Sequence, residues 1–414
     1  MNNQMSPFLG VYTNKSGELI DMLSDEVITP DQIKPDMSPF NGVFLDKDGN
    51  EHDLTELSFG SKVDPLIDPA VIDGVFGTGI FDAAQATITK FGTADTASNK
   101  YSGGVCVGDG KVIAIPYDGS QPALIDINDL SITKFGTVDT AGAKFVGGVY
   151  VGDGKAIAIP YSAKQLALID ARALTITNFG TVNTAVAKYQ GGIYAGNGKV
   201  VAIPGNASQP SLIDVNTLKE MWFGTADAGY SKYKGGVYVG DGKVIAIPYQ
   251  TDRPELIDIN NLTITKFDTV DTAAYKYSGG IYAGGGNIIV TPLNASQPAL
   301  IDANSLTITK FGAASATASK YQSGVYIGNG KVVAIPNSVS QPAMIDANAL
   351  TITNFGTADT AAVKYCGGVY VGDGKIVAIP YSAVQPALID LGPSYRPAKP
   401  LSEAALLSAW FNKF

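Results

Sequence analysis

Histidine is almost missing from this chain: His52 is the only one in 414 residues. Imidazole is therefore unavailable for acid–base work or metal ligation at any later position. Cysteine is nearly as scarce. Cys106 and Cys366 are too few for a disulfide framework, and they read as small buried hydrophobes rather than a bridged pair. Charged residues make up only 16%, and their balance is acidic, with a net charge of −9. A nucleic-acid partner needs a basic footprint, so none is expected, and docking on an anionic membrane is disfavoured for the same reason. No stretch approaches the roughly 18 apolar residues of a membrane span, so insertion is not expected. Met1 to Pro7 lacks a basic region followed by an apolar run, so no secretory signal is expected. No Gly-rich phosphate loop opens a helix, and no nucleophile elbow is evident. These absences lead us to expect no enzymatic activity, no cofactor and no metal.

What the chain has in abundance is repetition. Phe91, Phe135, Phe179, Phe223, Phe267, Phe311 and Phe355 follow one another at intervals of 44 residues with no insertion or deletion. One unit contains four short β signals, which we label A to D. In the unit from Lys134 these are Gly147 to Val151, Lys155 to Pro160, Leu166 to Asp170, and Leu174 to Phe179. Asp-Gly or Asn-Gly joins A to B in six units, at Asp109, Asp153, Asn197, Asp241, Asn329 and Asp373. These residues tolerate the positive φ that a two-residue type I′ hairpin requires at both centres. The seventh unit has Gly285-Gly286 there, which suits the same turn. Four-stranded antiparallel units of this length are the blades of β-propellers. The expected fold is all-β, a seven-bladed propeller.

The ends fix how the ring closes. The last unit breaks at Leu391-Gly392-Pro393 and lacks strand D, while an unpaired D-like strand, Ala86 to Phe91, precedes the first strand A. Placing that strand on the outer edge of the last blade leaves no orphan edge. An open solenoid is the alternative.

The pattern Lys-Tyr-x-Gly-Gly-Val-Tyr-Val-Gly-Asp-Gly-Lys-x-x-Ala-Ile-Pro, followed by Ala-Leu-Ile-Asp, resembles kelch-related and similar bacterial propeller repeats over residues 86–391. It departs from kelch in ending strand B with Ile-Pro rather than a Gly pair. The resemblance implies the fold and leaves the activity open.

Slots that recur in every unit have a structural job to do. Gly104 and its counterparts let inner strands crowd the axis. The Asp closing strand C, from Asp126 to Asp390, is suited to accept backbone N–H bonds of the next turn. One recurrent slot is ambiguous: Lys100, Lys144, Lys188, Lys232, Lys276, Lys320 and Lys364, just before strand A. The D–A and B–C loops share one face, and these lysines are expected at the channel mouth on that face. They read either as braces paired with the Asp five residues earlier (Asp95, Asp139, Asp227, Asp271 and Asp359) or as a cationic ring for an anionic group. The B–C loops vary, and their Tyr, Asn and Ser content suits adaptable recognition of a glycan. Candidate ligand contacts are Tyr117, Tyr161, Asn206, Tyr249, Arg253, Asn294, Asn337 and Tyr381.

The flanks differ. Residues 1–54 hold a duplication: Met5 to Gly17 matches Met37 to Gly49 at an offset of 32, and each copy reads as a β-hairpin. Residues 55–85 read as an extended connector. Residues 392–414 read as a Pro-rich linker and a short amphipathic helix carrying Leu407, Trp410, Phe411 and Phe414. The N-terminal hairpins are similar to attachment modules of phage fibre and tail proteins. That resemblance implies a virion-attached receptor-binding or decoration protein whose propeller face contacts a host surface glycan or protein. It would hold other virion proteins through its N-terminal hairpins or C-terminal helix, and it could assemble as a homo-oligomer. The alternatives are a cytoplasmic interaction scaffold and a propeller lyase or hydrolase.

Overall fold

A computed structural model describes residues 81–395, except loop positions 95–96, 139–141, 181–185, 268, 270–273, 285 and 314–315, together with the backbone of six short strands nearer the N-terminus. Seven four-stranded antiparallel sheets are arranged as blades. Strand A of each blade adjoins strand A of the next all the way round, including Tyr365–Gly372 against Tyr101–Gly108. Thr87–Lys90 pairs with Ala387–Asp390, in the register Thr87↔Asp390 to Lys90↔Ala387. The ring is thus closed by an N-terminal strand, and the open solenoid is ruled out.

Local chemistry accounts for each blade. In six A–B hairpins both central residues are left-handed, for example Asp109 at φ 49° and Gly110 at 69°, as a type I′ turn demands. A tyrosine on strand A then reaches over the turn. The hydroxyls of Tyr194, Tyr326 and Tyr370 accept the N–H of Gly198, Gly330 and Gly374 at 3.0 to 3.1 Å. Cys106 occupies this tyrosine slot in the first blade and is fully buried. The strand C aspartates cap the C–D turn, as Asp346 Oδ1 does by accepting the N–H groups of Asn348 and Ala349, both at 2.9 Å. A glutamine before strand C donates to the glycine carbonyl after strand D, for example Gln341 Nε2 to Gly356 O at 2.8 Å.

Strand B forms the core. In the first blade Val112, Ile113, Ala114 and Ile115 are completely buried, whereas strand D is largely exposed. Each buried Ile or Val contributes about 1.5–3 kcal/mol relative to exposure. Between blades, the recurrent glycine on strand A receives an isoleucine from strand B of the preceding blade in six cases, and Thr291 at Gly324. A Cβ on Gly148 would lie 2.7 Å from Ile115 Cδ1. The small residue thus makes room for the neighbouring blade's side chain, not only for crowding at the axis.

The chain divides into two compact units, Met1–Pro65 and Leu66–Phe414. In the first, Val11–Thr13 pairs with Leu19–Asp21 inside a four-stranded sheet, and Val43–Leu45 pairs with Glu51–Asp53. The pairs Val11↔Asp21 and Val43↔Asp53 preserve the offset of 32 (43 − 11 and 53 − 21). In the second, Phe81 stacks edge-on against Phe355 at 5.0 Å and lies 6.4 Å from Tyr395. Tyr395 is buried and its hydroxyl donates to the Ile327 carbonyl. The last residues of the expected connector and the first of the expected linker are therefore docked on the blades. The C-terminal helix expected over 401–414 lies outside the described residues.

Candidate functional site

The recurrent lysines do not form an accessible ring. All seven are buried, none more than 2% exposed. Each sits behind a left-handed residue, such as Asn99 at φ 55° or Val363 at 53°, which turns the chain inward. Their ammonium groups donate to B–C loop carbonyls of the preceding blade. Lys100 reaches Tyr381 O and Ala383 O at 3.1 and 2.8 Å, and Lys364 reaches Asn337 O and Val339 O at 3.0 and 2.7 Å. Lys144, Lys188, Lys232, Lys276 and Lys320 do the same. Burial pulls the pKa of Lys188 down to about 8 and lowers those of Lys232, Lys320 and Lys364. These are braces, and two of the expected aspartate partners are paired with other lysines. Asp227 pairs with Lys266 at 2.7 Å and Asp359 with Lys90 at 2.9 Å. Asp95, Asp139 and Asp271 lie outside the described residues.

The eight loop candidates separate into two groups. Tyr117, Tyr161, Tyr249 and Tyr381 are half-buried at the first position after strand B. Tyr117 stands 5.9 Å from Tyr161 and 5.7 Å from Tyr381, so blades seven, one and two present a continuous aromatic arc. Tyr249 is 5.0 Å from Tyr275 of the next D–A loop. The other four are engaged elsewhere. Asn206 Oδ1 accepts the Ser231 N–H and Asn294 Oδ1 the Ser319 N–H, both at 2.7 Å, which ties each loop to the next blade. Asn337 is 1% exposed and donates to Gln322 Oε1 and Tyr365 O. Arg253 stands in the glutamine slot before strand C and pairs with Asp252 at 3.1 Å, with Asp227 at 4.0 Å.

A ring that the sequence reading passed over lies between the tyrosines. The x of Lys-Tyr-x-Gly-Gly is Ser102, Val146, Gln190, Lys234, Ser278, Gln322 and Cys366. These seven line a central depression with about 360 Å³ of unfilled space, including its opening to solvent. The signal was available: this is the most variable slot of strand A, between an aromatic residue and a nearly constant Gly. Lys234 Nζ lies 5.2 Å from the centre of the Tyr249 ring, within cation–π range. On the far side, Cys366 Sγ accepts Gln322 Nε2 at 2.7 Å and lies 3.4 Å from Ser102 Oγ.

The depression is electrostatically one unit. Burial pushes the Tyr117 hydroxyl up to about 12, and Tyr161, Asp118 and Cys366 push it the same way. Tyr249 and Tyr381 are raised for the same first reason, with Cys366 among the further causes. Burial likewise raises Cys366 and lowers Lys234, and each of the two opposes the other's shift. Cys366 and Cys106 are both free thiols. Among the described residues no group of three or more His, Cys, Asp or Glu is placed to hold a metal ion. What the arrangement offers is aromatic faces around one cation, a surface for binding.

Neither a protein-family profile nor a curated protein sequence matches the chain. Solved structures match in shape. A virginiamycin B lyase from Staphylococcus aureus, solved as a catalytically inactive histidine-to-alanine variant with quinupristin, is 15% identical with a TM-score of 0.62, over 74% of this chain and 99% of that one. A streptogramin B lyase is 14% identical with a TM-score of 0.61, over 74% and 97%. The WD40 propeller domain of Doa1 is 12% identical with a TM-score of 0.55, over 75% and 99%. Identities this low carry the fold alone.

Proposed function

We propose that the propeller is a non-enzymatic binding head whose D–A and B–C face holds a host surface glycan. The observation that carries this is the arc Tyr381, Tyr117 and Tyr161, with half-exposed rings on the rim of an otherwise closed ring. Aromatic faces pack against the apolar faces of sugars, and tyrosine does so with little rotamer entropy to lose. A lyase is the weaker reading. The virginiamycin B lyase variant that lacks a histidine is described as inactive, and the propeller of this chain contains no histidine.

The attachment role extends this reading: the N-terminal unit would hold the protein on a phage particle and the propeller would face the host. The separate strand-rich unit at Met1–Pro65 supports that division. The test is binding of the full chain to host envelope polysaccharide, compared with the triple variant Tyr117→Ala, Tyr161→Ala, Tyr381→Ala. At least a tenfold loss is expected with the far-UV spectrum unchanged. Equal binding by the variant sinks the glycan reading. Wild-type adsorption by particles whose protein lacks the propeller sinks the attachment role.

A further inference from the structure

The channel ring is divided in two. On one side the polar groups satisfy each other: Ser102 meets Cys366, Cys366 accepts Gln322, and Gln322 accepts Asn337. On the other side three consecutive blades set Gln190, Lys234 and Ser278 at the same level of strand A. Gln190 is 5% exposed and Ser278 2% exposed. Yet neither has a hydrogen-bond partner among the described residues, and their polar atoms border the open space of the channel. Among the described residues Lys234 makes no hydrogen bond and no ion pair, and its ammonium lies over the face of Tyr249.

Buried polar groups are normally paired, because each unpaired one forfeits its hydration. An amide, a hydroxyl and an ammonium left open side by side match the acceptor oxygens of a bound anion. The contrast with the recurrent lysines sharpens the point. Those are fully buried and each is spent on backbone carbonyls. Lys234 occupies a slot filled by uncharged residues in the six other blades, and it is free. Set among channel walls rather than on an open surface, it attracts a negative group more strongly than a fully exposed lysine does.

We propose that Gln190, Lys234 and Ser278 form a seat for a carboxylate, so that the ligand on this face is an acidic sugar. Lys234 is the counter-ion, Gln190 Nε2 and the Ser278 hydroxyl donate to the carboxylate oxygens, and the face of Tyr249 beside Lys234 flanks the sugar ring. The proposal rests on the glycan reading above and adds the charge of the ligand to it.

The test titrates the full chain with sodium D-galacturonate, its methyl ester, sodium acetate and a neutral oligosaccharide. Galacturonate is expected to bind at least tenfold more tightly than the ester, which keeps the ring and loses the charge. It is expected to exceed acetate, which keeps the charge and lacks the ring, by the same factor. Lys234→Gln should erase the preference for acid over ester. Raising salt should shrink the preference in the wild type, since the contact is Coulombic. Equal affinity for acid and ester, a preference that survives Lys234→Gln, or acetate binding as well as galacturonate would each overturn the carboxylate seat. Neutral-sugar binding that depends on Tyr117 and Tyr381 with no preference for the acid refutes this inference and leaves the glycan reading standing. No sugar binding at all refutes both.

Discussion

Gly236→Ala tests whether neighbouring blades are locked by a glycine receiving an isoleucine. The added Cβ would lie 2.8 Å from Ile203 Cδ1 and 3.2 Å from both Ile203 Cγ1 and the Ile245 carbonyl. Carbon pairs are comfortable at about 3.5–4.0 Å, so the terminal methyl is too close by roughly 0.7 Å. Ile203 is fully buried between blades. Overpacking of this kind costs about 1–3 kcal/mol. Ile203→Val alone removes the offending methyl and costs about 0.5–1.5 kcal/mol. In the double variant the clash at Cδ1 is gone, so its cost should fall close to that of Ile203→Val alone. The two changes should therefore couple favourably by about 1–2 kcal/mol. Urea denaturation followed by far-UV circular dichroism measures all four corners of the cycle, once coincident probes show cooperative unfolding. Strictly additive costs would refute the interlock.

Further expectations follow from other parts of the molecule. Lys364→Met strands the Val339 carbonyl, leaves Asn337 O with only the backbone N–H of position 364, and should destabilise by about 1–3 kcal/mol; in the native wild type the seven recurrent lysines should resist amine acylation under conditions that label Lys310. Glu255 is fully buried, its Oε2 has no partner, and burial raises its pKa above the usual 4.5. A raised carboxyl stabilises the fold only while protonated. Glu255→Gln should therefore match the wild type near pH 4 and melt increasingly higher than it as pH rises above 4.5, with a gap that levels off beyond the folded-state value; a gap independent of pH would contradict this. Deleting Thr87–Lys90 should leave the edge Ala387–Asp390 unpaired, lower the melting temperature and promote strand-exchanged oligomers visible by light scattering. Leu350 sits in the left-handed region at φ 54° with 44% exposure, so Leu350→Asn should raise stability by about 1 kcal/mol in a urea titration.

The parts legible in the sequence were those governed by chain period or by neighbours a few residues away. The seven blades, the type I′ turns and the aspartate caps are of that kind. Ring closure could be read because a missing strand at one end matched a surplus strand at the other. The lysine braces were half legible. Their recurrence pointed to a structural job, but their partners are carbonyls 25 and 27 residues earlier, and the left-handed residue before each one decides the inward turn. Asn206 and Asn294 looked like variable contact residues because their task, accepting an N–H from the next blade, is also met by Asp118 with Ala143. The channel ring was written in the most variable position of strand A. It escaped notice because the loops vary more, and only the geometry shows that seven such positions from distant parts of the chain meet around one axis.

The closing strand also determines how this ring would respond to pulling. Thr87, where the chain enters the last blade, pairs with Asp390, where it leaves. Tension applied between the two flanking segments would act at the same end of one strand pair and open its hydrogen bonds one after another, like a zipper. The same strand loaded lengthwise would have to break them together, at much higher force. The ring is therefore mechanically weak when stretched between its flanks, and it is spared that load when only one flank is held and the pull arrives through the face of the blades.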